Sequence, residues 1–299
     1  MFSLAAYRYR NVLTTSGGPI ERLQLADMTV LGRREFLATA FLKEGLGGKL
    51  WHNTVFSIAD GGGTSTSPMM ARFMAISEAM ERWAHWQLHQ SADAARFAFD
   101  VDPSSNGMAA FPGIFRRQAR GSALMEAAER FNLLHWWEGM LPAAESDTPW
   151  AGVRAATICS DAPGVTVVLF QRTPEGFTAY GHAAAPDYAT ACRKAAIEME
   201  RHALIIARFA HAHSGRLTEV LPDHAHPIER RCIFFATDAG HELFLDRLRS
   251  APRRALARPK LVFDGEVRGP WTRYADVWRV VYEPPSDRFL GMEENYFLW

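Results

Sequence analysis

The pattern of apolar and polar positions along the chain predicts helices that alternate with short strands. Apolar residues that recur with a period of about 3.6 are typical of helices packed on one face. Helices are predicted over residues 31–46, 69–89, 122–137, 188–213 and 227–249.

Short apolar runs rich in β-branched residues predict the strands. Residues 157–158 and 165–170 flank the sequence Ser-Asp-Ala-Pro-Gly at 160–164, and this arrangement predicts a β-hairpin. A further strand is predicted over 177–180, and residues 261–263 are predicted to pair with 277–281. The pattern as a whole predicts a mixed α/β (α+β) fold in which helices pack on antiparallel sheets.

Composition indicates a folded protein without a strong electrostatic preference. The chain has 299 residues, of which 48% are apolar and 22% charged, and these proportions exclude global disorder. No long Pro/Gly/Ser linker interrupts it, so we predict one domain over residues 1–299. Lys and Arg together number 33, as do Asp and Glu, so the net charge is zero. This balance argues against a nucleic-acid partner or an anionic membrane partner.

Targeting signals and cysteine usage favour the cytoplasm. No apolar run approaches the roughly 18–20 residues that a membrane span requires. No apolar segment follows Arg8 and Arg10, so a secretory signal is not predicted. Cys159, Cys192 and Cys232 are odd in number and far apart. They form neither a disulfide framework nor a zinc motif, and we predict reduced thiols that pack in apolar surroundings.

Three helices contain nearly the same phrase, which suggests an internal repeat. Residues 78–83 are EAMERW, residues 126–131 are EAAERF, and residues 197–202 are IEMERH, in which the first glutamate is displaced by one. The first two phrases agree at four of six positions. We therefore predict that repeated helices face a common site.

The glutamates of the first two phrases form pairs on helix faces. Residues three apart share a face, so Glu78 projects with Glu81, and Glu126 projects with Glu129. Carboxylates that meet raise one another's pKa and need a compensating cation. Oxygen ligands favour Mg²⁺ or Mn²⁺, and Mg²⁺ commonly shares its coordination with phosphates. The alternative is a pair of solvated helix faces stabilised by Glu–Arg ion pairs.

Histidines and one asparagine offer further candidates. A di-iron bundle needs Glu-x-x-His spacing, which is absent because His85 follows Glu81 by four residues. His224 and His226 are predicted to lie in a loop that leads into a helix. Asn106 precedes a glycine, and Asn-Gly favours a turn with positive φ. Such a turn either presents the amide to a nucleotide or is only a turn.

Taken together, these phrases resemble the YcaO family. The family's GKG segment and its S-A-x-x-E-A-x-E-R helix correspond to residues 61–63 and 78–82. Its T-S-N-G-x-A-A segment and second E-x-x-E-R helix correspond to residues 104–110 and 122–130. Its third helix, entered through A-P-D, corresponds to residues 185–201. The resemblance extends from about residue 50 to the C-terminus, and residues 1–50 correspond to a shortened N-terminal portion.

The resemblance implies an enzyme that uses ATP and Mg²⁺ to activate a backbone amide of a ribosomally made peptide or of a protein. The products would be azolines, thioamides or amidines. Glu78, Glu81, Glu126 and Glu129 would bind the metal ions. The residues implied at the nucleotide are Asn106, Arg82, Ser122, Glu198 and Arg201. No residue is assigned to covalent catalysis, because the protein mainly positions and neutralises phosphates.

Departures from the family pattern leave a second interpretation open. Gly62 replaces the lysine of GKG, and Met74 replaces the serine of the first motif. Arg201 and Ala203 replace a glutamine and an arginine of the third. The alternative is therefore a degenerate, non-catalytic scaffold subunit of a peptide-modifying complex. In either case we expect a homodimer, and a separate protein that recruits the substrate or delivers sulfide.

Overall fold

A computed structural model describes residues 4–48, 55–113, 116–217, 225–254, 256–283 and 286–299. The chain divides into two compact units. The first unit comprises Met1–Leu50, Ile58–Ala127 and Lys260–Pro284, and the second comprises Trp51–Ser57, Ala128–Pro259 and Pro285–Trp299.

The described residues form both helices and strands, but these occur in runs of one kind more than in the predicted alternation. In chain order the elements are α1 (Leu4–Arg8), β1 (Ile20–Val30), β2 (Arg33–Leu42), β3 (Gly61–Ser65), α2 (Pro68–Leu88), β4 (Met108–Phe111), α3 (Arg117–Trp137), β5 (Ala143–Ser146), β6 (Arg154–Ile158), β7 (Val165–Arg172), β8 (Thr178–Ala185), α4 (Tyr188–Ala212), α5 (Pro227–Ala236), α6 (Asp238–Arg249), β9 (Leu261–Val267), β10 (Asp276–Tyr282) and α7 (Asp287–Leu290). The elements β1 to β3, β5 to β8 and α4 to α6 are consecutive.

The strands form three antiparallel sheets. The first unit contains a sheet of order β1-β2-β3 and another of order β4-β10-β9, and the second unit contains a sheet of order β5-β6-β7-β8. The mixed fold with helices and antiparallel sheets is thereby confirmed.

In the first unit, glycines bring β3 and α2 into backbone contact. A Cβ atom on Gly61 would lie 2.2 Å from the carbonyl oxygen of Ala75, and one on Gly63 would lie 2.2 Å from that of Ala71. Only glycine leaves room for the helix to lie this close to the strand. The helix begins directly after Ser67, whose hydroxyl accepts a hydrogen bond from the Met70 N–H.

The second unit repeats this arrangement with β8 and α4. A Cβ atom on Gly181 would lie 2.1 Å from the carbonyl oxygen of Ala195. The N-cap of α4 is Asp187, which accepts a hydrogen bond of 2.8 Å from the Thr190 N–H. The strand glycine, the N-cap residue and the contacted alanine of the second unit each lie 120 residues after the corresponding residue of the first unit (for the glycines, 181 − 61). By position in its unit, α4 is therefore the counterpart of α2, whereas the sequence phrases match best between α2 and α3.

Most predicted elements are confirmed, and the predicted helix over residues 31–46 is wrong. Those residues form the turn after β1 and the strand β2, whose burial alternates along its second half. Leu31 and Gly32 have φ values of 46° and 83°, which make the hairpin turn between β1 and β2. In the structure Ala38, Ala40 and Leu42 are buried with a period of two, as in a strand with one face in the core.

The predicted helix over residues 227–249 is two helices. Thr237 has φ −81° and ψ 166°, ends α5 and caps α6 through a hydrogen bond from the Gly240 N–H. The start of α6 lies close to the end of α5, because a Cβ atom on Gly240 would lie 2.1 Å from the carbonyl oxygen of Phe234. His226 is the N-cap of α5, as expected of a helix-entry loop, and His224 lies outside the described residues.

All three cysteines are free thiols, as predicted. Cys192 and Cys232 are buried, but Cys159 is exposed, so the prediction that it packs in the interior is wrong. It directly follows the last residue of β6, where the strand leaves the core. Within the described ranges, no helix has the length and apolar content needed to cross a membrane.

Candidate functional site

Three of the predicted metal-binding glutamates act on one another in the first unit. Burial raises the pKa of Glu81 on α2 well above its usual range, and the charge of Glu126 on α3 raises it further. Glu78 adds to this effect, whereas Arg82 opposes it. We call Glu78, Glu81 and Glu126 the acidic cluster. Their mutual repulsion is the property that the paired motifs predicted.

Arg82 on α2 supplies a cation beside this cluster. Its guanidinium lies 3.5 Å from the Glu78 carboxylate, and the two side chains remain 43% and 36% exposed. Burial alone would lower the pKa of Arg82, but the carboxylates of Glu78, Glu81 and Glu126 outweigh burial and raise it. Arg82 is therefore a permanent cation beside the three carboxyl groups.

Glu78 is also held by the backbone of β3. The Gly62 N–H donates a hydrogen bond of 2.8 Å to Glu78 Oε2. The strand β3 is at the edge of its sheet, so an N–H on its outer side is available to a side chain. The close approach that Gly61 and Gly63 permit brings α2 within reach of this N–H. The glycine segment thus positions the first glutamate of the cluster.

Asn106 lies in a loop that its own neighbours hold in place. Asp102 Oδ1 accepts hydrogen bonds from the Ser104 N–H at 2.9 Å and from the Ser104 hydroxyl at 2.6 Å. Ser104 Oγ accepts one of 3.1 Å from the Asn106 N–H. Gly107 has φ 68°, which confirms the predicted turn, and a Cβ atom there would lie 2.0 Å from the Val280 carbonyl oxygen.

Sequence reasoning missed Arg279 on β10, which holds the same loop. Its side chain is fully buried and donates to the carbonyl oxygens of Ser104 at 2.9 Å and Asp102 at 2.5 Å. Burial lowers its pKa to about 10, while Asp102 and Glu126 act to raise it, which links Arg279 electrostatically to the acidic cluster. The available signal was a charged residue inside the apolar run DVWRVVY.

Glu129, the fourth predicted metal ligand, belongs to the second unit. Its Oε1 lies 2.7 Å from His182 Nδ1, and its Oε2 accepts a hydrogen bond of 2.9 Å from the Ala184 N–H. Both partners are on β8. His182 was not predicted at the site, although a histidine within an apolar strand is a signal that sequence reasoning can use.

The other predicted nucleotide residues lie in different surroundings. Ser122 on α3 and Glu198 on α4 are exposed. Arg201 donates a hydrogen bond of 2.9 Å to Glu198 Oε1, one turn earlier on the same helix. Glu198 follows Glu78 by the same 120 residues that separate the two strand glycines (198 − 78). Glu198 is thus the second-unit counterpart of Glu78.

The donor set fits a cation that brings ligands of its own. Among the residues that the structure describes, no group of three or more His, Cys, Asp or Glu side chains is arranged to hold a metal ion. Mg²⁺ needs no such group, because it is commonly bound by one or two carboxylates together with phosphates and water. The raised pKa of Glu81 indicates carboxyl groups that a cation would stabilise.

The histidines do not supply a di-iron site in the described part of the chain. His85 is buried, its Nε2 contacts the Pro103 carbonyl oxygen at 2.9 Å, and burial lowers its pKa to about 4. It therefore has a structural role between α2 and the loop that carries Asn106.

Comparison with known proteins identifies the fold. No family model and no curated protein matches the chain. It resembles the solved structure of YcaO from Methanopyrus kandleri bound with AMPPCP and Mg²⁺, with a TM-score of 0.54 and 14% identity over 98% of this chain and 92% of that one. It also resembles a chain of the E. coli microcin synthetase McbBCD complex with pro-MccB17 bound, with a TM-score of 0.52 and 12% identity over 87% of each chain. The chain has a YcaO-like fold.

Proposed function

We propose that this protein is an ATP- and Mg²⁺-dependent enzyme that activates a backbone amide of a ribosomally made peptide or of a protein. The observation that carries the proposal is the acidic cluster beside Arg82, in a fold that a structure with bound AMPPCP and Mg²⁺ shares. Three carboxyl groups that repel one another are costly unless a cation joins them.

Each residue of the cluster has a part in this proposal. Glu81 and Glu126 lose the mutual repulsion when a cation binds, and Glu78 is already oriented by the Gly62 N–H. Arg82 contributes a guanidinium, which suits phosphate oxygens. When bound, the magnesium nucleotide would supply a phosphate electrophile for the amide oxygen. A nucleophile could then attack the amide carbon, and the original amide oxygen would leave with the phosphate. A cysteine, serine or threonine side chain would give an azoline, sulfide a thioamide, and an amine an amidine.

The remaining assignments stay part of the proposal. Glu129 is assigned to metal binding, and Ser122, Glu198 and Arg201 are assigned to the nucleotide, with Asn106. The substrate would be recruited, or sulfide delivered, by a separate protein, as suits a fold shared with a chain of a synthetase complex. We propose a cytoplasmic homodimer with no nucleic-acid or membrane partner.

A second candidate function rests on the residues that depart from the family pattern. Position 62 contributes only its backbone N–H, Met74 is 45% exposed, and Arg201 is bonded to Glu198. A chain with these features would bind a partner or a peptide as a scaffold while another subunit catalyses the reaction.

Isothermal titration calorimetry with AMPPCP, with and without Mg²⁺, tests the site. We expect binding that needs Mg²⁺ and that is lost in Glu126→Gln, because this change removes a charge from the acidic cluster. Glu175→Gln is the matched control, since it neutralises an exposed carboxylate in the second unit. Equal binding by wild type and Glu126→Gln contradicts the assignment of Glu126, and no binding by wild type contradicts the enzyme.

The enzyme and the scaffold are separated by turnover in the reconstituted complex with its peptide and partner. If this chain catalyses the reaction, Glu126→Gln and Arg201→Ala abolish the substrate-dependent release of ADP or AMP. If neither change affects the rate, catalysis belongs to another subunit and this chain is the scaffold.

A further inference from the structure

Arg279 and the Asn106 loop form one polar assembly inside the first unit. Asp102, Asn106 and Arg279 are 3%, 7% and 0% exposed. Arg279 bonds the backbone carbonyl oxygens of Asp102 and Ser104, and its guanidinium stacks 3.8 Å from the centroid of the Phe99 ring. A buried guanidinium is costly unless its position is well determined by such contacts.

The next residue of β10 holds the other end of the loop. The Val280 N–H donates a hydrogen bond of 2.8 Å to the Gly107 carbonyl oxygen. Arg279 and Val280 thus fix the segment from Asp102 to Gly107 from both sides of Asn106. The loop has little freedom to move without β10.

Asp102 determines which way the Asn106 amide points. The Asn106 Nδ2 group donates a hydrogen bond of 3.4 Å to Asp102 Oδ2. The NH₂ group must therefore face Asp102, and Oδ1 must face away. Oδ1 is buried, and among the described residues no donor reaches it. A buried acceptor left in this state costs folding free energy that a bound donor would recover.

We propose that Arg279 is a positioning residue, which holds the Asn106 loop so that Asn106 Oδ1 accepts a hydrogen bond from the bound magnesium nucleotide. This inference rests on the proposed function, and it adds a residue and a direction to it. Since Oδ1 only accepts, its partner on the ligand is a donor, either a base or ribose group or a water on the cation. A phosphate oxygen does not fit there, because two acceptors repel.

A double-mutant cycle on nucleotide affinity tests this role. The variants are Arg279→Lys, Asn106→Ala and both together, measured by calorimetry with Mg²⁺ and AMPPCP. Lysine keeps the charge but lacks the planar fork that spans two carbonyl oxygens. Loss of one hydrogen bond predicts about tenfold weaker binding in each single variant. The double variant should also bind about tenfold weaker, because Arg279 acts through Asn106.

Arg231→Lys is the matched control. Arg231 is also fully buried, and it also donates hydrogen bonds to backbone carbonyl oxygens, those of Glu293, Leu298 and Phe289. It lies in the second unit, and we expect this change to lower the unfolding temperature without weakening AMPPCP binding.

Asp102→Asn covers the outcome in which Arg279→Lys does not fold. The new amide donates to Asn106 Oδ1, which lets the Asn106 amide turn over and satisfies the acceptor internally. We expect about tenfold weaker AMPPCP binding. The unfolding temperature should fall, because Asp102 also compensates the buried charge of Arg279. Combined with Asn106→Ala, the change should weaken binding no further if it acts through Asn106 Oδ1, whereas a merely structural role of the loop would add to the effect of Asn106→Ala.

The results separate the two levels of the proposal. Two outcomes in which wild type still binds AMPPCP overturn the role of Arg279 and leave the proposed function standing. One is an additive effect of about a hundredfold in the double variant, and the other is no effect of Arg279→Lys and Asp102→Asn. No binding by wild type overturns the proposed function and this inference with it. Competition by Mg²⁺-tripolyphosphate identifies the donor: Asn106→Ala weakens it if the donor is a cation-bound water, and leaves it unchanged if the donor is on the base or ribose.

Discussion

Replacing Glu81 with glutamine should stabilise the protein while removing the function that we propose. The pKa of Glu81 is raised by burial and then by the charges of Glu126 and Glu78. A carboxyl group whose pKa is higher in the folded than in the unfolded state favours folding while it is protonated. That contribution is complete below about pH 4.3, the ordinary pKa of glutamate, and it is lost as pH rises through the folded-state pKa. Glutamine keeps the group neutral at every pH.

The size of the effect follows from the linkage between pKa and stability. Each unit by which folding raises the pKa corresponds to about 1.4 kcal/mol of unfolding free energy lost at high pH. In a protein of this size, 1 kcal/mol shifts the unfolding temperature by roughly 2–4 °C. The pKa of Glu81 is raised well above its usual range, so Glu81→Gln should unfold at a higher temperature than wild type at pH 8. The two should coincide near pH 4.

Thermal unfolding followed by circular dichroism from pH 4 to pH 8 measures this difference. Glu175→Gln, which neutralises an exposed carboxylate of the second unit, should leave the pH profile unchanged. Addition of Mg²⁺ and AMPPCP should raise the unfolding temperature of wild type and not that of Glu81→Gln. A Glu81→Gln profile that lies on or below the wild-type profile at pH 8 would refute the account of the acidic cluster.

Three further changes probe other parts of the structure. Burial lowers the pKa of His202 to about 4, and its Nδ1 accepts a hydrogen bond from the Tyr180 N–H, so the stability present above pH 6.5 should be lost as pH falls toward 4. In urea titrations between pH 7 and pH 4.5, wild type should lose up to about 3 kcal/mol more unfolding free energy than His202→Asn, whose side chain does not titrate. In native protein only Cys159 should react rapidly with a thiol reagent, and reaction of Cys192 or Cys232 before unfolding would contradict their burial. Gly181→Ala should destabilise the second unit by about 1–3 kcal/mol in chemical unfolding, because its Cβ atom would meet the Ala195 carbonyl oxygen. Gly121→Ala on α3 is the control, because it adds a Cβ atom in open space at a position without a positive φ.

The extent to which sequence predicts this fold depends on how local each signal is. The helix α2 was predicted closely, because its N-cap and its apolar face lie within the helix itself. The strand β2 was not, since its partly buried positions and small residues such as Ala38 and Ala40 fit either period. Residues 33–42 form a strand because they pair with β1 on one side and β3 on the other. The partner β3 follows only after residues 43–60, so its pairing with β2 cannot be predicted from residues 31–46.

The candidate site shows the same limit. The acidic cluster could be predicted, because the spacing of Glu78 and Glu81 is a property of one helix and the same spacing recurs at Glu126 and Glu129. Arg279 could not, because its role depends on a loop more than 170 residues earlier in the chain. A charged residue in an apolar strand signals a buried partner, but it does not say which one.

The β3–α2 and β8–α4 units place a paired-glutamate motif on one helix and a Glu–Arg pair at the corresponding positions of the other. In both units a glycine brings the helix onto the edge strand, and this requirement concerns packing alone, so Gly61 and Gly181 have the same role. The glutamates that follow this contact have different partners. The Gly62 N–H of β3 donates to Glu78, whereas its counterpart Glu198 is exposed and pairs with Arg201. The counterpart of Glu81 is Arg201 itself (201 − 81 = 120), so the second copy replaces a carboxylate by a guanidinium. Because like charges at both positions repel and opposite charges attract, the first copy favours a bound cation, and the second is neutralised within its own helix.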